Sequence, residues 1–353
     1  MEKSLIIAGS NCFPSSVLFM AFLEFTEGIK KIILGRVNMK TKQFFYTGFS
    51  FLVSLVFFTA CNEPKAVNGP RDTPLEGSIN ISVDESFAPV MKEQIAMYEA
   101  SFPGTKINAT YKTEADCLKD FFNDSLNRLI IVTRGLTANE EKVMTQKLLF
   151  NPGWNELASD AVAIVVNKNS KDTLFSLSRL QEQLIGKINR TQTIVFDGLN
   201  KTSTVRFIED SVLKGKTFDT SVVRAVKNSD EVLNYVATHE NAIGFVGINR
   251  IGNPEDTAQV AMLRNVKIAY VRCDVCVNTP YVLPSQESIL NRRYPLVRGL
   301  YYAVKENYTG LGSGFVSFLK YERGQLIFRR AYLGPSMLFG LRTVNLNDKL
   351  PGN

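Results

Sequence analysis

From Ile79 onward, apolar positions recur alternately at the spacing of strands, two, and at the spacing of helices, about 3.6. "INISV" (79–83) alternates and predicts a strand. A helix from Pro89 to Ala100 follows, with the proline in its first turn and Phe-Pro-Gly closing it. "KINATY" (106–111) predicts a strand, "ADCLKDFFNDS" (115–125) a helix and "RLIIVT" (128–133) a buried strand. "LTANEEKVMTQKLLF" (136–150) predicts a helix, opened by Thr137 and Glu140 at capping-box spacing. A second series starts with the strand "DAVAIVVN" (160–167) and the helix "SRLQEQLIG" (178–186), where Ser178 and Gln181 repeat the capping-box spacing. Then come the strand "TQTIVF" (191–196) and a helix over 202–215, with Val205, Ile208, Val212 and Leu213 on one face. Next are the strand "SVVRAV", the helix "DEVLNYVAT" and the strand "NAIGFVGI", followed by "VKIAYV" and the long strand "YPLVRGLYYAV" (294–304). Two helices, over 312–321 and 324–334, close the series, the second stopped by Gly334-Pro335. Alternating strands and helices predict an α/β fold: mainly parallel sheets with helices on both faces. A length of 353 residues suits two lobes.

Upstream the pattern is different. Met39–Cys61 carries two lysines, an apolar run from Phe44 to Phe58, and Thr-Ala-Cys. That order marks a secretory signal, and the run is shorter than the ~20 residues a spanning helix needs. Cys61 is the expected lipidation site of a bacterial lipoprotein, although Phe58 stands where leucine is usual. Residues 1–60 are thus a leader, with Met39 read as the true start and 1–38 as an artefactual extension. Residues 61–77, rich in Pro, Gly and charge, form a tether.

Composition narrows the function classes. The formal charge is +7, but part of the excess lies in the first sixty residues. No basic block with interleaved aromatics points to nucleic acid. His239 is the single histidine and is expected on the surface; no G-x-S-x-G elbow or metal-ligand cluster is present. Neither an enzyme, nor a metal centre, nor a cofactor is expected. Cys117 falls on a helix pattern and is expected to be buried or half-buried. Cys273 and Cys276 form a lone C-x-x-C, either a local disulfide or two inert thiols.

Ligands of open α/β sheets bind at the carboxyl ends of strands. Three strands end in polar residues: Asp84-Glu85-Ser86, Thr133-Arg134, and the stretch "DGLNKTSTVRF" (197–207). Thr202, Ser203 and Thr204 supply hydroxyl donors at a helix entrance, and Arg206 supplies a guanidinium that can bind two oxygens. The same residue types also serve a plain N-cap, which needs one hydroxyl. Together these loops fit a small oxyanion.

These segments resemble the phosphate-binding proteins of bacterial ABC transporters, within the type II periplasmic-binding-protein superfamily. "TRGLTANEEK" is similar to the family's S-R-x-L-x-x-x-E segment, "TSTVRF" sits at its Ser-Gly-Thr, "NAIGFVG" matches its Ala-Ile-Gly-Tyr strand, and "YPLVRGLYYAV" and "GQLIFRRAYLGP" match its closing segments. The similarity runs from about Ile79 to about Leu341. It implies two α/β lobes, 78–164 with 270–353 and 165–269, joined by two crossings, and a monomer. It implies an oxyanion held by Ser86, Phe87, Thr113, Thr133, Arg134, Thr202, Ser203 and Thr204, with Lys201 or Arg206 replacing an upstream arginine that some members have where Gly198 stands. The acidic Asp84-Glu85-Ser86 departs from the family's Gly-Ser loop, and Ser203 from its central glycine. The expected function is a lipid-anchored, envelope-facing solute-binding protein that captures phosphate or a related oxyanion for an ABC transporter permease. The alternatives are an envelope interaction protein with a degenerate anion site and a phosphoester hydrolase.

Overall fold

The strand β1 (Glu76–Asp84) buries Ile79, Ile81 and Val83 completely or nearly so and sets the frame for the first half of the molecule. In the computed structural model, which describes residues 72–188, 191–198 and 202–339, these belong to one compact unit that begins at Pro70. The helix α1 (Ala88–Ser101) carries proline in its first turn and leads to β2 (Gly104–Lys112). α2 (Glu114–Asn123), β3 (Asn127–Val132) and α3 (Ala138–Leu148) follow. Thr137 and Glu140 form the reciprocal capping box at the start of α3, and the helix stops where Leu149 turns left-handed at φ 64°.

The strand β4 (Gly153–Asn167) is twice the length that its apolar half predicts. After a short β5 (Leu174–Phe175), α4 (Leu177–Leu184) begins earlier than expected: Ser176, not Ser178, caps it, accepting from Arg179 N–H. The second half continues with β6 (Thr193–Phe196), α5 (Ser203–Ile208), β7 (Val223–Ala225), α6 (Ser229–Thr238) and β8 (Ala242–Gly247). α5 runs on as a π-helical turn over Glu209–Leu213. Then come α7 (Thr257–Met262), β9 (Val266–Ile268), β10 (Tyr270–Arg272), β11 (Tyr281–Val282), α8 (Gln286–Leu290), β12 (Val297–Val304), α9 (Leu311–Lys320), α10 (Glu322–Arg330) and β13 (Gly334–Pro335). Gly334-Pro335 is therefore not a helix stop: α10 ends at Arg330, and the dipeptide pairs with β4.

The sheet order is β2-β1-β3-β12-β4-β8-β6-β7. The two ends, β2-β1-β3 and β8-β6-β7, are parallel, as the helical crossovers require. β12 and β4 run antiparallel between them. β4 pairs with β12 from Gly153 to Ala161 and with β8 from Val162 to Val166. One strand thus joins the two halves of this two-lobed α/β fold. A continuous apolar core, including Phe87, Val165, Phe196, Phe245 and Phe315, runs through both. Cys117 is fully buried in a smaller cluster under α2 and α3, and Cys273 and Cys276 are joined by a disulfide with Cα atoms 5.4 Å apart. No helix among the described residues is long and apolar enough to cross a membrane. The leader, Cys61 and most of the tether lie outside the described residues, as does Lys201.

Candidate functional site

The carboxyl ends of β1, β3 and β6 lead into polar segments, and the structure distributes their side chains into two neighbouring clusters. After β1, Asp84 caps a single 3-10 turn over Glu85–Phe87, accepting from Ser86 N–H at 2.9 Å. Ser86 and Phe87 are buried. Ser86 Oγ lies 3.3 Å from Ser203 Oγ at the start of α5, so the two halves meet here. Arg250, from the turn after β8, also crosses between them and donates to the carbonyls of Glu85 and Ser86.

The first cluster centres on Arg298 of β12. Its side chain is 1% exposed, and its Nε donates to Asp160 of β4 at 2.8 Å. Nη1 donates to Ser203 Oγ at 3.1 Å and reaches Thr204 Oγ1 at 3.5 Å, while the guanidinium lies over the Phe87 ring. Several buried atoms around it have no hydrogen-bond partner among the described residues: Arg298 Nη2, Asp84 Oδ2, Asp160 Oδ1, Asp197 Oδ1 and both amide atoms of Asn249. Gly247 leaves room beside them. A Cβ there would lie 3.1 Å from Asn249 Nδ2, 3.4 Å from Arg298 Nη2 and 3.5 Å from Asp160 Oδ2.

The second cluster centres on Glu114, at the start of α2. Oε1 accepts from Thr133 N–H at 2.9 Å and Thr133 Oγ1 at 2.6 Å. Arg206 of α5 donates from Nε to Glu114 Oε2 at 2.5 Å and from Nη2 to Thr133 Oγ1 at 2.9 Å; its Nη1 turns to Asp210.

Three sequence candidates have other local partners. Thr113 caps α2 and donates to Asp116 Oδ2 at 2.7 Å. Thr202 caps α5, accepting from Val205 N–H, and its hydroxyl also bonds to Asp197 of the first cluster. Arg134 turns from the cluster to α3, where it makes a two-pronged ion pair with Glu140 at 2.7 and 2.8 Å. Arg134→Ala is expected to lower stability by at most about 1 kcal/mol and to leave oxyanion affinity unchanged by calorimetry. A loss above about tenfold would place Arg134 back among the ligand contacts. Arg298, Asp160, Asp197 and Asn249 are not among the sequence candidates. The available signal is Arg298 itself, a charge on the buried face of the apolar strand "LVRGLYYAV".

The electrostatics set the chemistry. Burial, helped by repulsion from Glu114, pushes the Asp84 carboxyl up to about 6, although Arg298, Ser203 and the Ser86 amide pull against it. Burial also raises Asp160 and Asp197 against the pull of Arg298. Glu114 goes the other way: burial works to raise it, but Arg206 and Thr133 together hold it below the usual carboxylate range. The first cluster thus offers hydrogen-bond donors from Arg298 and Ser203, and carboxylate acceptors that favour a proton. His239 is exposed and stacks on Tyr235.

A family model described as a PBP superfamily domain matches residues 68–322, well over half of the chain. In solved structures, the chain is similar to a Clostridium perfringens protein assigned as a phosphate ABC transporter substrate-binding protein, with bound phosphate. The identity is 20% and the TM-score 0.61, over 74% of this chain and 100% of that one. It is also similar to an ABC-type phosphate transport receptor from Vibrio cholerae, at 18% identity and TM-score 0.55, over 73% of this chain and 100% of that one. No curated protein sequence matches the chain.

Proposed function

We propose that this chain, which belongs to the PBP superfamily, is a solute-binding protein that captures phosphate, or an oxyanion that likewise keeps a proton, between its two halves. The halves are assigned to 78–164 with 270–353 and to 165–269. The change of partner along β4 between Ala161 and Val162 supports a boundary close to that point. The observation that carries the reading is the set of buried, unpartnered atoms around Arg298. Nη2 of Arg298 is a charged donor with no acceptor in hydrogen-bond geometry, while Asp84 Oδ2 and Asp197 Oδ1 keep acceptor capacity beside the hydroxyls of Ser203 and Thr202. Buried polar groups without partners are costly, and one ligand bearing both oxyanion and P–OH groups would satisfy all three. Ser86, Phe87, Ser203 and Thr204 line the same place from facing elements. The fold relatives that bind or transport phosphate support the same class. Delivery to an ABC permease and lipid anchoring through Cys61 complete the proposed role, which is non-catalytic.

The site holds three buried carboxylates around one guanidinium, so a fully ionised dianion meets net repulsion while a protonated one can donate into it. Calorimetry on the full chain at neutral pH is expected to show phosphate binding at least about tenfold tighter than sulfate. Gly247→Ala, which fills the space beside Arg298 Nη2, is expected to weaken phosphate binding. Equal affinity for sulfate would remove Asp84 and Asp197 as proton acceptors. Heat-silent titrations with no thermal stabilisation by any oxyanion would overturn the solute-binding role.

A further inference from the structure

We propose that Glu114 is an internal competitor: its carboxylate takes the place that a solute oxyanion would otherwise take on Thr133 and Arg206, and thereby sets the protein's affinity. The inference rests on the solute-binding reading above. A single carboxylate here collects a backbone N–H, a hydroxyl and two guanidinium nitrogens, the donor set that a captured oxyanion needs. The donors come from both halves, Thr133 from the end of β3 and Arg206 from α5. An acidic residue in the first turn of a helix ordinarily faces water, where it complements the free N–H groups. Glu114 is instead 2% exposed, and its side chain reaches a residue nineteen positions further along the chain.

Its position also matters for the neighbouring cluster. Arg206 and Ser203 stand on the same short helix, one turning to Glu114 and the other to Ser86 and Arg298. A negative solute at Arg298 therefore settles close to a negative charge that is already in place. Glu114 opposes binding twice, by occupying donors and by repelling the incoming charge.

Calorimetric titration of the full chain with inorganic phosphate tests this on wild type, Glu114→Ser and Glu114→Gln, with thermal melts to establish that each variant folds. Glu114→Ser is expected to bind phosphate at least about tenfold tighter than wild type, and adding Thr133→Val to it should reverse much of the gain. Should Glu114→Ser fail to fold, Glu114→Gln carries the test, because it keeps the shape and removes the charge. Wild type that binds, with folded variants that bind equally or more weakly, would overturn the competitor role and leave the solute-binding reading standing; Glu114 would then be a structural ion-pair partner. Phosphate binding by neither wild type nor variants would overturn both and favour an interaction protein on this fold.

Discussion

Arg298→Met is expected to cost about 3–5 kcal/mol of folding stability, a large part of what a domain of ordinary stability has. Arg298 is the cation that faces Asp160 directly and whose charge also acts on Asp84 and Asp197. All three aspartates are at most 2% exposed. Methionine fills similar volume but leaves their buried charges uncompensated. The loss arises from the unpaired partner more than from the bond itself. The double variant Arg298→Met with Asp160→Asn is therefore expected to recover a measurable part of the stability, since removing both ends of a buried pair is far less costly than removing one. Urea titrations of the three proteins read this directly. A single variant as stable as wild type would mean that the cluster is solvated and that Arg298 is not its organising charge.

The second large effect is a pH dependence. The Asp84 carboxyl titrates at about 6 in the folded protein, above its ordinary value of 3.8. The folded state therefore binds this proton more tightly than the unfolded chain. Its contribution to stability is fully present below about pH 4 and is lost as pH rises through 6. In the Asp84→Asn variant the amide oxygen keeps the acceptor for the Ser86 N–H, and the side chain carries no charge at any pH. The stability of Asp84→Asn relative to wild type should thus rise by about 2.5 kcal/mol between pH 4 and pH 7.5. Glu140, whose carboxyl is held low by Arg134, acts in the opposite direction in both proteins and cancels in the comparison. Parallel unfolding curves across that range would show that Asp84 is ionised at little cost, and would remove it as a proton acceptor for a ligand.

Signals in the sequence are legible where the physics is local. The strand-helix alternation, the proline in the first turn of α1 and the capping box of Thr137 and Glu140 each depend on residues within a few positions. The hydroxyl stretch at 202–204 is legible for the same reason. Arg134 shows the limit. Its place after a strand matches a ligand contact, and the structure adds a local partner, Glu140, six residues on, that the strand pattern does not foretell. The Arg298 cluster needs β1, β4, β6, β8 and β12 to be brought together in one sheet, and pairing between strands so far apart in the chain leaves no local mark. The polar half of β4, Gly153–Ser159, escapes a periodicity reading because its partners β12 and β13 lie far downstream. Ser178 fails as a cap for a smaller reason: another serine two positions earlier is better placed to accept from Arg179 N–H.

The shared strand β4 has a mechanical consequence. Any swing that parts Ser86 from Ser203 must be absorbed as torsion in a ribbon whose backbone is bonded to β12 before Ala161 and to β8 after it. Such a ribbon can twist but cannot slide, because sliding by one residue would turn its side chains to the wrong face. Any opening is therefore a twist about β4, with the least travel where the neighbouring β12 carries Arg298.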